Sequence, residues 1–325
     1  MPLVMQPSWV GRRVTVRRIV DRGPEGRTRL SDVVGDLLSI DGDVAVVAAR
    51  DGLVEVPMTE VAMARVAPPS TADELALEAT AARGWRAEET GAVGGWMLRA
   101  NGGFTGRANS VLPQRAPGLL LDEALATARR WYAARGLPLR FQLPIEARRL
   151  LDAELGERGW APSPDVHVLV GRLDALQLPT DIESPEPEPP VTVEPGLTDA
   201  WLAVYRSGQA DTPAARGVLQ RHPRVGFAHL RAGGRIVAVG RGVVDDGWLG
   251  VSAVEVLPTQ RRRGHAQRIM RALRDWGAEQ GAERSYLQVS SENAPALRLY
   301  DGLGCWLHHD YRYRTDPHTP QIGEF

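Results

Sequence analysis

The segment Val254–Leu273, VEVLPTQRRRGHAQRIMRAL, sets three arginines, a glycine, a histidine and an alanine between a β-branched run and an amphipathic helical one. A helix that starts there leaves its first backbone N–H groups unpaired and pointing outward, and with the helix dipole they form a site for a diphosphate. Gly264 and Ala266 lack bulk, so the backbone can approach phosphate oxygens closely. Arg261, Arg262 and Arg263 can add charge-assisted contacts. His265 lies inside the loop and is expected to face solvent. Other chemistries find no footing in the chain: no His, Cys and carboxylate grouping has metal-ligand spacing, and the Gly-x-Ser-x-Gly signature of a hydrolase is absent.

Three segments carry the elements that would position this loop. Up to about residue 69, Arg12–Val20, Asp36–Ile40, Val44–Arg50 and Leu53–Pro57 read as short strands punctuated by Asp41-Gly42-Asp43 and Asp51-Gly52, a hairpin signal. A small SH3-like β-barrel over 1–69 is expected, with no chemistry assigned to it. From 70 to 178 helices are expected at Asp73–Arg83, Leu120–Arg135 and Ile145–Arg158, alternating with strands at Gly95–Ala100, Arg107–Leu112, Leu139–Leu143 and His167–Arg172, an α/β pattern. A Pro/Glu-rich linker, 179–190, separates it from a second α/β segment at 191–325. There, Ala200–Ser207, Ala214–Arg221, Gly264–Gln280 and Ala294–Leu303 read as helices. Phe227–Arg231, Ile236–Val244, Trp248–Val256, Arg284–Val289 and Cys305–Arg314 read as strands.

The two α/β segments look like copies of one another. Each holds Val-Leu-Pro, at Val111–Pro113 and at Val256–Pro258. Eighteen residues after each proline stands a tryptophan, Trp131 or Trp276, and five further on a glycine, Gly136 or Gly281. LRFQL (Leu139–Leu143) and SYLQV (Ser285–Val289) follow, then helices ending in ERGW (Glu157–Trp160) and GLGC (Gly302–Cys305). Matched spacing over this length indicates duplication. The first copy lacks the loop: Ala116 stands at the offset of Arg261, Pro117 removes an N–H where donors are needed, and Leu119 and Leu121 replace Gly264 and Ala266.

Arg/Gln-x-x-Gly-x-Gly/Ala at Arg261–Ala266, followed by Asn293-x-x-Ala296-x-x-Leu299-Tyr300-x-x-x-Gly304-Cys305 and the closing Tyr311–Arg314, resembles the GNAT superfamily of acyl-CoA-dependent N-acyltransferases over Val191–Arg314. Cys305 departs from the phenylalanine usual there and reads as a packed strand start. The whole chain resembles tandem-GNAT proteins with a small β-rich N-terminal domain, some labelled N-acetylglutamate-synthase-like. The resemblance implies an α/β (α+β) GNAT fold, tandem copies of which the first is degenerate, and acetyl-CoA as co-substrate. It makes Arg261–Ala266 the pyrophosphate loop and Val254, Glu255 and Val256 the splayed strand that holds the pantetheine arm. It adds Asn293 to the cofactor site, Tyr300 as the general acid beside the CoA sulfur and Glu255 as the candidate general base. Trp201, Tyr205 and Asp211 fall near the expected acceptor site, and neither His308 nor His309 is assigned a role. The expected reaction is direct acetyl transfer to a primary amine, of a small metabolite or a protein N-terminus. Two alternatives stay open: an acyl-CoA-binding regulator without turnover, and a protein acetyltransferase that docks its substrate through the N-terminal barrel.

Bulk properties bound the setting. A length of 325 residues implies more than one domain, and the net charge of -1 offers no electrostatic capture of nucleic acid or an anionic membrane. All 39 basic residues are arginine, so the chain has no lysine of its own to acetylate. One cysteine, Cys305, excludes an intramolecular disulfide, and neither a signal pattern nor an apolar run of membrane-spanning length occurs. A cytoplasmic enzyme, a monomer or homodimer without metal, is expected.

Overall fold

The computed structural model describes residues 5–22, 28–178 and 190–319; the expected linker at 179–190 lies outside them but for Pro190. Contacts divide the chain into Met1–Ser70 and Thr71–Phe325.

In the first unit β1 (Arg13–Arg22), β2 (Thr28–Asp41), β3 (Val44–Ala49), β4 (Gly52–Pro57) and β5 (Val61–Val66) form an antiparallel sheet in the order β4-β3-β2-β1-β5. Alternation puts Val14, Val16, Leu37, Val47 and Val56 on one buried face. Asp41 pairs with Val44 across a two-residue turn whose Gly42 takes φ 55°, as the hairpin requires. β5 is an element the sequence pattern did not announce. The expected closed barrel is not seen: β4 and β5 are the sheet's edges, and no pairing joins them among the described residues.

The second unit begins with α1 (Thr71–Gly84), β6 (Glu89–Val93), β7 (Trp96–Ala100), β8 (Val111–Pro113), α2 (Leu121–Ala133), β9 (Arg140–Pro144), α3 (Arg149–Glu157), β10 (Ala161–Pro162) and β11 (Val166–Arg172). The second copy follows with β12 (Thr192–Glu194), α4 (Asp199–Leu202), α5 (Pro213–Gln220), β13 (Val225–Ala232), β14 (Arg235–Asp245), β15 (Trp248–Val256), α6 (His265–Glu279), β16 (Arg284–Ser290), α7 (Ala294–Gly302) and β17 (Trp306–Thr315). All these strands join one sheet in the order β12-β13-β14-β15-β16-β11-β17-β9-β8-β7-β6, with β10 paired to β17. Among the described residues only β15–β16 and β8–β9 pair in parallel, one such pair in each copy.

The copies exchange their last strands. β11, which ends the first copy, pairs antiparallel with β16 of the second, while β17, which ends the second, pairs with β9 of the first. β11 and β17 then pair with each other and close the sheet between the copies. The apolar cores interlock as well: Trp85, Phe104 and Ala108 of the first copy pack with Trp201, Phe227 and Val243 of the second. The matched residues of the repeat hold matched places. Trp131 lies over Gly91 of β6 and Trp276 over Gly226 of β13, each at the distance where a Cβ would collide with the ring. Gly136 and Gly281 end α2 and α6 in the left-handed region, at φ 63° and 85°.

Two expected elements differ. In place of a strand over Arg107–Leu112 there is a 3₁₀ turn at Gly106–Ala108 and a three-residue strand, β8. Asn109 is the cause: its side chain accepts from the N–H groups of Asn101 and Gly103 and donates to the carbonyls of Phe104 and Thr105, pulling the backbone out of a ladder. The expected helix Ala200–Ser207 stops at Leu202. A 3₁₀ segment follows in which Arg206 (φ 49°) and Ser207 (φ 52°) are left-handed, costly for non-glycine residues.

Candidate active site

β15 and β16 run side by side from Trp248/Arg284 to Val251/Leu287 and then part. A bulge helps β15 turn away: Ser252 pairs with Arg241 and Glu255 with Val239, leaving an extra residue between them, where Ala253 takes φ 54°. The gap opens into a cavity of about 280 Å³. Val254, Glu255, Asn293 and Tyr300 line it, so four of the residues singled out from sequence meet on the walls of one space.

Glu255 is half-buried, and its Oε2 accepts from the backbone N–H of Arg206 at 2.7 Å. The left-handed kink at Arg206–Ser207 is what turns that N–H toward the carboxylate. A carboxylate so oriented can accept a proton from a group in the cavity. Tyr300 is 8% exposed and sits in a core of Leu303 and Cys305. Burial, with Cys305 beside it, pushes its hydroxyl up to about 12, so it keeps its proton at neutral pH and can donate it. Asn293 caps α7 by accepting from Ala296 N–H at 3.2 Å.

The loop forms as its residue types dictate. Arg262 (φ 60°) and Gly264 (φ 76°) turn left-handed, and α6 starts at His265. Gly264 supplies no side-chain cap, and the first turn of α6 carries no acidic residue. By contrast Thr198, Thr212 and Asn293 cap α4, α5 and α7 with their side chains. The N-terminus of α6 therefore presents free amide donors beside three arginines, the donor set a diphosphate needs. Arg261 also donates from Nε to Val256 O at 3.3 Å. His265 corrects the solvent-facing expectation. It is 4% exposed, neither ring nitrogen has a partner among the described residues, and burial together with Arg263 holds it neutral.

The corresponding place in the first copy is closed. Ala116 O and Arg115 N–H bond with Gly95, pinning the loop onto the β6–β7 turn. Asp122 and Glu123 stand in the first turn of α2, where a phosphate would meet two carboxylates. That acidic pair is a sequence signal beyond the missing glycine and the extra proline.

Of the residues expected near the acceptor, Tyr205 lines the cavity. Trp201 does not: it is a core residue, 1% exposed, with Nε1 donating to Ala228 O. Asp211 is turned to the surface and bound to Arg216. His308 and His309 lie away from the cavity, with His309 Nε2 bonded to the buried Glu78 of α1. Sequence reasoning missed Arg241, fully buried on β14, and Arg107, which reaches in from the first copy and donates to Gln288 of β16. No pattern in either stretch marks them: Arg241 reaches the cavity from β14 beside β15, and Arg107 through the packing of the first copy against β16.

Residues 71–314 match the family model described as "Probable histone acetyltransferase Rv0428c C-terminal". The chain is 33% identical over 321 residues to the probable histone acetyltransferase Rv0428c of Mycobacterium tuberculosis, covering 94% of this chain and 96% of that protein. It is 26% identical over 248 residues to the uncharacterized N-acetyltransferase YobR of Bacillus subtilis, covering 73% and 96%. Among solved structures, a GCN5-related N-acetyltransferase from Kribbella flavida shares the fold with a TM-score of 0.58 at 21% identity, over 75% of this chain and 95% of that one.

Proposed function

The chain belongs to the family described as probable histone acetyltransferase Rv0428c C-terminal, and is an acyltransferase of the GNAT superfamily; from that premise we propose that it moves an acetyl group from acetyl-CoA directly to a primary amine. The observation that carries this reading is the single cavity walled by Glu255 and Tyr300 in the gap between β15 and β16. The uncapped N-terminus of α6 supplies the donor set for the CoA diphosphate.

In this reading the amides at the start of α6, with Arg261, Arg262 and Arg263, hold the diphosphate. His265 is a buried polar group that a ligand seated on the loop would satisfy. The backbone of Val254–Val256, free of β16, holds the pantetheine arm and polarises the thioester carbonyl as charge develops on its oxygen. Asn293 completes this end of the site. Glu255 takes a proton from the acceptor ammonium, directly or through water, and the freed amine attacks the carbonyl carbon. The carbon–sulfur bond breaks, Tyr300 gives its proton to the departing thiolate, and the second proton that the nitrogen sheds on becoming an amide restores the Tyr300 phenol. Acetyl, amine and both protons are accounted for without a covalent enzyme intermediate.

Among the described residues no helix is long and apolar enough to cross a membrane, and no His, Cys, Asp and Glu group could hold a metal ion. The reading takes the protein as a cytoplasmic enzyme, a monomer or homodimer, with the first copy as a degenerate GNAT domain that walls the cleft. A protein amine is the second reading, and it rests on the Mycobacterium tuberculosis relative being described as a probable histone acetyltransferase.

The test is release of CoA thiol from acetyl-CoA against amino acids, polyamines, aminoglycosides and basic peptides, with calorimetry of acetyl-CoA binding alongside. We expect turnover on one class, and kcat about 100-fold lower in Tyr300→Phe with acetyl-CoA still bound. Undiminished turnover in Tyr300→Phe would remove the phenol from the mechanism, and absent binding would remove the loop assignment.

A further inference from the structure

The cavity in the β15–β16 gap continues toward the first copy. A second cavity of about 330 Å³ opens there, and the two share Arg107, Arg206 and Ser290, which form their junction. Arg107 reaches the junction from the 3₁₀ turn Gly106–Ala108, and its guanidinium donates to Gln288 Oε1 at 2.8 Å and Gln288 O at 3.1 Å. Arg206 lays its guanidinium over the rings of Phe104 and Tyr205, with centroid distances of 5.1 Å and 5.6 Å. Arg241, at the back of the first cavity, donates to the carbonyls of Leu219 and Gly84. Every partner here is a neutral oxygen or a ring. Among the described residues none of the three guanidiniums has a carboxylate partner.

The charge count decides what fits. Three guanidiniums face the catalytic cavity against one carboxylate, Glu255, which the proposed chemistry requires to receive a proton. The second cavity adds Arg140 and the exposed Glu292. Half-buried cations without an anion are costly, and are kept where a ligand brings the anion. Guanidiniums bind carboxylates in fork geometry, and the aromatic faces under Arg206 hold it at the junction. CoA does not fill this role in the proposed reading, because its diphosphate sits at the far end, on α6.

We propose that the acceptor is a small amine bearing a carboxylate, an amino acid or similar compound, with the carboxylate docked between Arg107 and Arg206 and the amine within reach of Glu255. The inference rests on the acetyl-transfer reading and names the acceptor class of that site. It runs against a basic polypeptide as acceptor, because lysine-rich chains would bring like charge to an arginine-lined junction. The same positive field disfavours the ammonium form of the acceptor and assists loss of its proton.

The test uses the full chain and matched acceptor pairs: phenylalanine against phenethylamine, lysine against cadaverine, and β-alanine against phosphoethanolamine and ethanolamine. Acetyl-CoA binding is measured separately by calorimetry. We expect kcat/KM at least about tenfold higher for the carboxylate-bearing members. Arg206→Gln should remove about tenfold of that advantage, mainly through KM, and Arg206→Lys should restore part of it. Decarboxylated amines that serve equally well, or a preference that Arg206→Gln leaves intact, would overturn the proposal. Preference for phosphoethanolamine over β-alanine would replace the carboxylate with a phosphate, and turnover on basic peptides but on no small amine would overturn the acceptor class. Absence of acetyl-CoA binding is a separate failure, that of the acetyl-transfer reading itself.

Discussion

Glu255 and Tyr300 were visible in the sequence as types at informative spacings; what fixes them was not. The orientation of Glu255 depends on the N–H of Arg206, in a stretch whose composition reads as helix and whose backbone is left-handed at two non-glycine residues. No local propensity announces such a turn, because the interactions that hold it come from β15, about fifty residues away. The same distance hides the histidines. His308 Nδ1 lies 2.8 Å from His309 Nδ1, and His309 in turn meets Glu78 of α1. Burial first, then His309, pull His308 down to about 4, while Asp73 acts weakly the other way. Its folded value is thus depressed below the ordinary 6.5 of the unfolded chain. The stability linked to its neutral form is complete above about pH 6.5 and is lost as pH falls toward 4. Thermal midpoints from pH 7.5 to 4 should show this loss, with a ceiling of about 3 kcal/mol, and His308→Gln should flatten the curve. An equal fall in both proteins would assign the acid sensitivity elsewhere.

At the scale of elements, the loop and α6 were legible because they obey local rules: a glycine where the chain turns left-handed, arginines before it, an apolar face after it. Observed α6 starts and ends one residue inside the expected helix, at His265 and Glu279. The first copy shows the opposite case, in which the same strand–loop–helix frame carries Asp122 and Glu123 in the first turn and a loop tied to Gly95. The contrast makes Gly264→Asp a direct probe. Aspartate tolerates the left-handed region better than most residues, so the helix should survive. Its carboxylate would occupy the amides and repel a diphosphate, and calorimetric affinity for acetyl-CoA should fall at least about tenfold. Unchanged affinity would mean that the diphosphate sits elsewhere. The shortened strand β8 and its neighbouring turn belong to this scale too, since a single buried side chain, Asn109, binds four backbone groups of Asn101–Thr105 and fixes the turn where the expected strand would begin.

For the whole molecule, the repeat was legible as matched spacing, and the exchange of β11 and β17 was not. Hydrophobic alternation says that a segment is a strand; it does not say which copy's sheet the strand will join. The exchange has a measurable cost if it is undone. Residues 190–319 alone would leave β16 without β11 and present an unpaired apolar edge. That fragment should dimerise or aggregate and lack a sharp monomeric melting transition, whereas residues 71–319 should melt cooperatively, as scattering and thermal denaturation would report. A monomeric, cooperatively melting 190–319 would show that the second copy needs nothing from the first.

The exchange also sets an order of events during synthesis. β9 of the first copy takes its outer neighbour, β17, from Trp306–Thr315, which is made more than a hundred residues after β9. The first copy is therefore translated long before it can close, and its β9 edge must wait unpaired while more than a hundred further residues emerge. Neither copy can mature ahead of its sibling. The first copy thereby acts as a timing device: β11 waits for β16 and β9 for β17, so closure of the shared sheet is tied to synthesis of the second copy.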